Sequence, residues 1–489
     1  MCPCSMDKRT DYVGLSRLES SMKMSAGRSS WMPELDGESG PIYLALADAI
    51  DDDIASGRLR TGQRMPPQRT LADALGIDLT TVTRAYGEAR DRGLIEAVSG
   101  RGTFVKAGSP GFLRGEREPR SLVDMTMNLP PQPGEAKLRE RIAEGLAAVQ
   151  RRPDLLSLLS YRQSAGSDED RAAGVEWLRP RLGAVSLDRV LVCGGAQAAM
   201  TALLTSFARP RDIILTEALT YPGFRALAAH CGVQLYPVAT DGEGILPEAL
   251  DEACDRVKAK ALYCAPTIQN PTTATMSKER RVEVAAVARR RGLPIFEDDI
   301  YGRLPQHAPP PLAAILPELT YCIVSLAKCL MPGLRIAYCV APDPGSATRL
   351  AAAIRATSLM APPLMSGLVT RWIGDATAEE ILRAIRQEAT ARQRIARELL
   401  SNLEFAAHPE GHHIWLTLSP DWNGAEFVGY VRPRGIAAVA SEAFAVSSGA
   451  PNAVRISLGA ANDTDQLRQQ LRLVADTLAQ SPGVFSTVI

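Results

Sequence analysis

Apolar residues recur at helical spacing from Pro41 onward: Ile42, Leu46, Ile50 and Ile54 fall on one stripe, closed by Gly57. Two shorter amphipathic stretches follow, RTLADALG and TTVTRAYGEARDRGL, separated by GIDL. LIEAVSGRGTFV then reads as two short strands around a glycine-bearing turn. Helix, helix, turn, helix and hairpin within about 65 residues is the order of a winged helix-turn-helix. After Lys106, AGSPGFLRGEREPRS carries the glycine, proline and charge of a linker. The rest of the chain alternates apolar runs with longer helical stretches. The runs are RVLVCGG, DIILTE, VQLYPV, AKALYCAP, PIFEDD, YCIVSLAK and RIAYCVAP. Near-continuous apolar strands between helices predict a mainly parallel sheet covered on both faces. From about Pro363, long helices lead into HHIWLTLS and AVRISLG, which predicts a smaller α+β subdomain. The pattern divides the chain into a disordered leader (1–39), a winged-helix module (40–106), a linker (107–122) and a large α/β domain (123–489).

Composition narrows the classes. A chain of 489 residues is too long for one ordinary core. Its 55 basic and 55 acidic residues cancel, which excludes a protein that coats nucleic acid along its whole length. The balance is local, however: between Gly57 and Lys106 nine basic residues face five acidic ones. The nine cysteines are scattered, mostly in apolar segments, so neither a metal site nor a disulfide framework is expected. MCPCSMDKRT lacks the apolar core of a signal peptide and no run is long enough to span a bilayer, which points to the cytoplasm and no membrane partner.

The segment MPPQRTLADALGIDLTTVTRAYGEARDRGLIEAVSGRGTFV resembles the GntR family of winged-helix DNA-binding domains over its whole length. The matching positions are Pro66, Arg69, Leu71, Ala72, Gly76, Thr81, Val82, Gly100, Arg101, Gly102 and Thr103. The resemblance implies double-stranded promoter DNA as a partner. Thr80, Thr81, Thr83 and Arg84 would project from the recognition helix, and Arg69, with the wing residues Arg101, Gly102 and Thr103, would flank the groove. Leu79 departs from the polar residue that many relatives place at the start of that helix.

In VSLAKCLMPGLRIAY, Lys328 and Arg335 interrupt a run typical of a buried strand. An interior ammonium is costly unless it is paired or chemically altered. From roughly Val123 to the end, the chain resembles fold-type I pyridoxal 5′-phosphate enzymes of the aspartate aminotransferase group. The resemblance implies that Lys328 forms an imine with the cofactor aldehyde, while Arg335 and Ser325 hold its phosphate. Asp298, in PIFEDDIYGRL, would pair with the pyridine nitrogen. Asp299 competes for that role, but choosing Asp298 lets Tyr301 match the family tyrosine that bonds the ring oxygen. Asn270, in APTIQNPTTA, would donate to the same oxygen, with Thr273 standing where the family has glycine. Gly195, Ala196 and Gln197 fit the phosphate cup, and Tyr221 fits the aromatic that stacks on the ring. Tyr161 resembles the tyrosine that a second subunit lends to the phosphate, and Arg455 the arginine that grips a substrate carboxylate.

A GntR-like reader followed by an aminotransferase-like domain is similar to the MocR/GabR group of bacterial transcriptional regulators. That resemblance implies a homodimer, in which the DNA module of one chain can pack on the large domain of the other. It also implies an effector amine or amino acid that condenses with the cofactor. Two alternatives remain open at this level: a working aminotransferase with an appended DNA module, and a sensor of pyridoxal phosphate itself.

Overall fold

The computed structural model describes residues 31–33, 42–55, 58–60, 62–91, 94–98, 102–105 and 123–480. They fall into two compact units, the first within 1–118 and the second within 119–489.

In the first unit, α1 (Ile42–Ala55), α2 (Gln68–Leu75) and α3 (Leu79–Asp91) precede an antiparallel hairpin of β1 (Ile95–Val98) and β2 (Gly102–Val105). Gly76 ends α2 in the left-handed region, φ 66°, which glycine adopts without steric cost. Leu46, Ile50, Leu71, Val82, Ala85, Tyr86 and Ile95 form the core, while Ile42, expected on the buried stripe, is exposed at the start of α1. A second departure lies upstream. Trp31, assigned by composition to a disordered leader, is buried in this core, and its indole N–H donates to Asp53 at 2.6 Å. One aromatic side chain with a polar handle can anchor a segment that has no periodicity of its own.

The second unit is built on seven strands, and the seven apolar runs supply all of them. They are β3 (Val190–Cys193), β4 (Ile213–Glu217), β5 (Gln234–Val238), β8 (Ala259–Cys264), β9 (Ile295–Asp298), β10 (Thr320–Ser325) and β11 (Ala337–Val340). The two short strands β6 (Thr240–Asp241) and β7 (Gly244–Ile245) pair separately. The sheet order is β3-β11-β10-β9-β8-β4-β5, parallel except for β11, which runs antiparallel to both of its neighbours. Alternate residues feed opposite layers. Val190 and Val192 join Trp177, Leu368 and Trp372 on one face, while Leu191 and Cys193 join helix Ala196–Phe207 on the other.

A smaller antiparallel sheet contains β12 (Phe405–Ala407), β13 (His413–Thr417), β15 (Ala453–Ser457) and β14 (Val439–Ala440), in that order. Its core takes Ile395, Ala396 and Leu400 from the long helix Thr377–Leu399 and the turn after it, together with Val123 and Met125. Ile381, Leu382 and Ile385 of the same helix pack into the large core, as does helix Pro363–Gly374. The division therefore passes through the middle of one helix rather than at Pro363. Helical periodicity continues across such a point and does not mark it.

Candidate functional site

Parallel strands end together, so residues just beyond their carboxyl ends converge. Glu217, Asp298 and Ser325 are the last residues of β4, β9 and β10, and Lys328 follows three positions after β10. Lys328 donates through its Nζ to the backbone carbonyl of Asn128. Burial first, then the positive charge of Arg455, pull its amine down to about 8, with Asp298 acting in the opposite sense. An amine ionising there is partly neutral near physiological pH, which a nucleophile requires.

Asp298 is buried, and one of its oxygens, Oδ2, accepts from the Tyr263 hydroxyl at 2.6 Å. The other, Oδ1, is buried with no partner among the described residues. Desolvation raises this carboxyl to about 6. Asp299 has the opposite circumstances: Arg181 grips both of its oxygens at 3.0 Å, and the Thr267 hydroxyl adds a further bond. Asp299 is committed to the scaffold and Asp298 retains a free acceptor. Of the two acids, Asp298 is the one with a buried oxygen that has no partner among the described residues.

Tyr301 is buried and its hydroxyl accepts from Asn128 Nδ2 at 2.7 Å. Asn270 Oδ1 accepts from Arg455 Nη1 at 2.8 Å, and Arg455 Nη2 donates to the Thr126 carbonyl. Arg455 Nε is buried without a partner among the described residues. Thr273 has φ 65°, so a β-branched residue holds the left-handed conformation at the position where glycine was expected. Its N–H bonds to Gln269 O at 2.7 Å.

An anion cradle forms where β3 turns into helix Ala196–Phe207. Gly195, at φ 89°, caps that helix, and a Cβ there would lie 3.0 Å from Arg335 Nη2. The same guanidinium donates to Gly194 O at 3.4 Å. The start of a helix leaves N–H groups without intrahelical partners, and the Arg335 guanidinium lies beside this one, an arrangement suited to phosphate. Ala196 opens the helix and Gln197 donates to Gly223 O at 3.2 Å. The Ser325 hydroxyl accepts from Ala327 N at 3.2 Å. Tyr221 caps helix Pro222–His230, with its ring packed so closely over Gly223 that a Cβ there would meet it. Tyr161 is 86% exposed.

Several contributors escaped the sequence reading. Asn128 bonds Tyr301, His413 Nδ1 (2.8 Å) and, through its carbonyl, Lys328. Tyr263 holds Asp298 and stacks on Phe224, with ring centroids 3.7 Å apart. His412 Nε2 meets Lys328 O at 2.8 Å, and burial pushes this imidazole down to about 4. Glu217 is held up to about 8, chiefly by burial. No motif marks these residues, although the paired histidines in HHIWLTLS were a polar interruption of an apolar strand.

In the DNA module, Arg69, Thr80, Thr83, Arg84 and Gly102 are exposed, Thr81 and Thr103 half-buried. Arg101 lies outside the described residues. Thr80 is bonded to Asp78 through both its N–H and its hydroxyl, Thr83 Oγ1 donates to Gln68 Oε1 at 2.9 Å, and Arg84 stacks over Tyr43 at 4.3 Å. Among the described residues no cluster of His, Cys, Asp or Glu suits a metal, and no helix is long and apolar enough to cross a membrane.

Two family models match the chain. Residues 42–105 match bacterial regulatory proteins of the gntR family, and residues 121–473 match aminotransferase class I and II. The chain belongs to the MocR/GabR-type GntR transcriptional regulators. An uncharacterised HTH-type transcriptional regulator of Bacillus subtilis, YdeF, is 31% identical over 91% of this chain and 96% of its own. The vitamin B6 salvage pathway transcriptional repressor PtsJ of Salmonella typhimurium is 28% identical, covering 86% of this chain and 95% of its own. Among solved structures, the α-aminoadipate aminotransferase LysN of Thermus thermophilus, complexed with N-(5′-phosphopyridoxyl)-L-leucine, shares the fold at TM-score 0.68 and 24% identity, over 75% of this chain and 94% of its own. This regulator thus joins a winged helix-turn-helix to a fold-type I domain, and its cofactor is pyridoxal 5′-phosphate.

Proposed function

We propose that this regulator binds promoter DNA as a homodimer and changes its grip when an amine or amino acid enters the pyridoxal phosphate site. When bound, the cofactor supplies an electrophilic aldehyde carbon and an electron-withdrawing ring. Lys328 offers an amine that burial keeps partly neutral, and Asp298 Oδ1 offers the acceptor for the ring N–H. Arg335, Ser325 and the Gly195–Gln197 turn would hold the phosphate. Tyr301 and Asn270 would hold the ring oxygen, and Tyr221 would cover the ring. Arg455 carries a buried Nε free for a carboxylate. Tyr161, exposed on its own chain, is available to reach a second subunit's phosphate. The observation that carries the reading is a Lys328 amine drawn down by burial together with an Asp298 oxygen that has no partner among the described residues, on the same chain as a winged-helix core.

The test is reconstitution with pyridoxal phosphate, followed by borohydride and peptide mapping, then DNA binding with and without a panel of amines. The expected result is a yellow protein, a tag on Lys328 and an amine-dependent change in DNA affinity. Colourless protein, or turnover with 2-oxoglutarate at enzyme rates without DNA binding, would sink the proposal. A second reading, in which pyridoxal phosphate is itself the signal, is favoured by the likeness to a repressor named for vitamin B6 salvage. It is distinguished by a full DNA response to the cofactor alone.

A further inference from the structure

Lys328 and Arg455, the two cations on which the proposed function rests, are both bonded to one short piece of backbone. Lys328 Nζ donates to Asn128 O and Arg455 Nη2 to Thr126 O. The Asn128 amide also bonds Tyr301 on the large domain and His413 on the small one. The segment begins inside the small subdomain: Val123 N bonds Gly435 O at 3.0 Å, Ala437 N bonds Val123 O at 3.1 Å, and Ser457 N bonds Met125 O at 3.2 Å. It ends against Gly459, where an added Cβ would overlap the Leu129 carbonyl oxygen. In the sequence it lies immediately after the linker that leads from the winged helix.

The chemistry sets up a competition. An amine that condenses with an aldehyde forms a C=N bond and gives up two N–H hydrogens, which leave with the carbonyl oxygen as water, so the donor that Lys328 directs at Asn128 O is withdrawn. A guanidinium that grips a carboxylate with its Nε and Nη2 edge turns away from Thr126. Both changes withdraw donors from the same seven residues, Val123–Leu129. We propose that Val123–Leu129 is a strap whose position reads the engagement of Lys328 and Arg455 and passes it along the chain to the DNA module. This deepens the proposed function and rests on it. Asn128 is the positioning residue of the strap, since its side chain and carbonyl together touch the lysine and both subdomains.

The experiment follows hydrogen–deuterium exchange of residues 123–129 in the full chain, with pyridoxal 5′-phosphate as the probe. Binding is measured in parallel to a duplex selected by the cofactor-free chain from a random pool. Two variants displace the strap by independent routes. Gly459→Ala crowds Leu129 without touching either cation, and Lys328→Ala removes the tether itself. In the wild type the cofactor speeds exchange across the strap and shifts DNA affinity about 5-fold or more, the usual range for coupled sites. In both variants exchange is already fast without cofactor, DNA affinity matches that of the loaded wild type, and the cofactor moves it less than about 2-fold. If Gly459→Ala fails to fold, Lys328→Ala decides. The strap is refuted if the wild type turns yellow and is tagged at Lys328 while exchange over 123–129 stays unchanged. It is equally refuted if a folded variant keeps the full DNA response. No colour and no tag would instead defeat the underlying cofactor reading, and the strap with it.

Discussion

Replacing each of two adjacent acids by its amide separates scaffold from chemistry. In Asp298→Asn the Tyr263 hydroxyl keeps a partner, but the acceptor for a protonated ring nitrogen loses its charge. Hydrogen bonds to charged groups contribute about 1.5–3 kcal/mol, so pyridoxal phosphate should bind roughly 10- to 150-fold more weakly. Stability of the cofactor-free chain moves the other way. Burial raises the Asp298 carboxyl to about 6, so the folded state binds a proton more readily than the unfolded one. The penalty is absent below pH ~4 and grows to about 3 kcal/mol once pH exceeds ~6, and the amide removes it. Asp299→Asn leaves Arg181, itself nearly buried, without its counter-charge. Removing one partner of a buried pair costs about 3–5 kcal/mol. Equilibrium dialysis of pyridoxal phosphate and calorimetry of the cofactor-free proteins at neutral pH measure the two effects. Asp298→Asn should lose the cofactor and keep or gain thermal stability, whereas Asp299→Asn should lose stability first. The reverse pattern would show that the site has been read from the wrong carboxylate.

Three further outcomes are expected. The rate at which Lys328 captures pyridoxal phosphate should rise with pH to a half-point near the about 8 at which its amine ionises; Arg455→Met should move that point upward and Asp298→Asn downward, as followed by absorbance across pH, because those charges respectively depress and raise it. Gly195→Ala combines a Cβ 3.0 Å from Arg335 Nη2 with a φ of 89°, and should cost about 1–2 kcal/mol of stability and weaken phosphate binding at least about 10-fold, read by pyridoxal phosphate titration against unphosphorylated pyridoxal. Arg69→Ala should weaken binding to all duplexes alike and lower the salt slope by about 1 in anisotropy titrations.

How much was legible in the sequence follows from which interactions are local. Each of the seven apolar runs became a strand, and the glycine-marked hairpin became the wing, because alternation, helical period and turn chemistry act over a few residues. Lys328, Asn270, Arg335 and Arg455 were singled out by resemblance to ordered family motifs rather than by periodicity. Tertiary structure decided the rest. It assigned Asp299 to Arg181, 118 positions away, and so left Asp298 free. It brought Asn128 to Tyr301 across 173 positions and to His413 across 285. It buried Trp31, which carries no periodic signal, and divided the helix Thr377–Leu399 between two cores. Sequence patterns record how each segment meets water, whereas a buried polar atom's partner depends on which distant segment the packed core brings within about 3 Å.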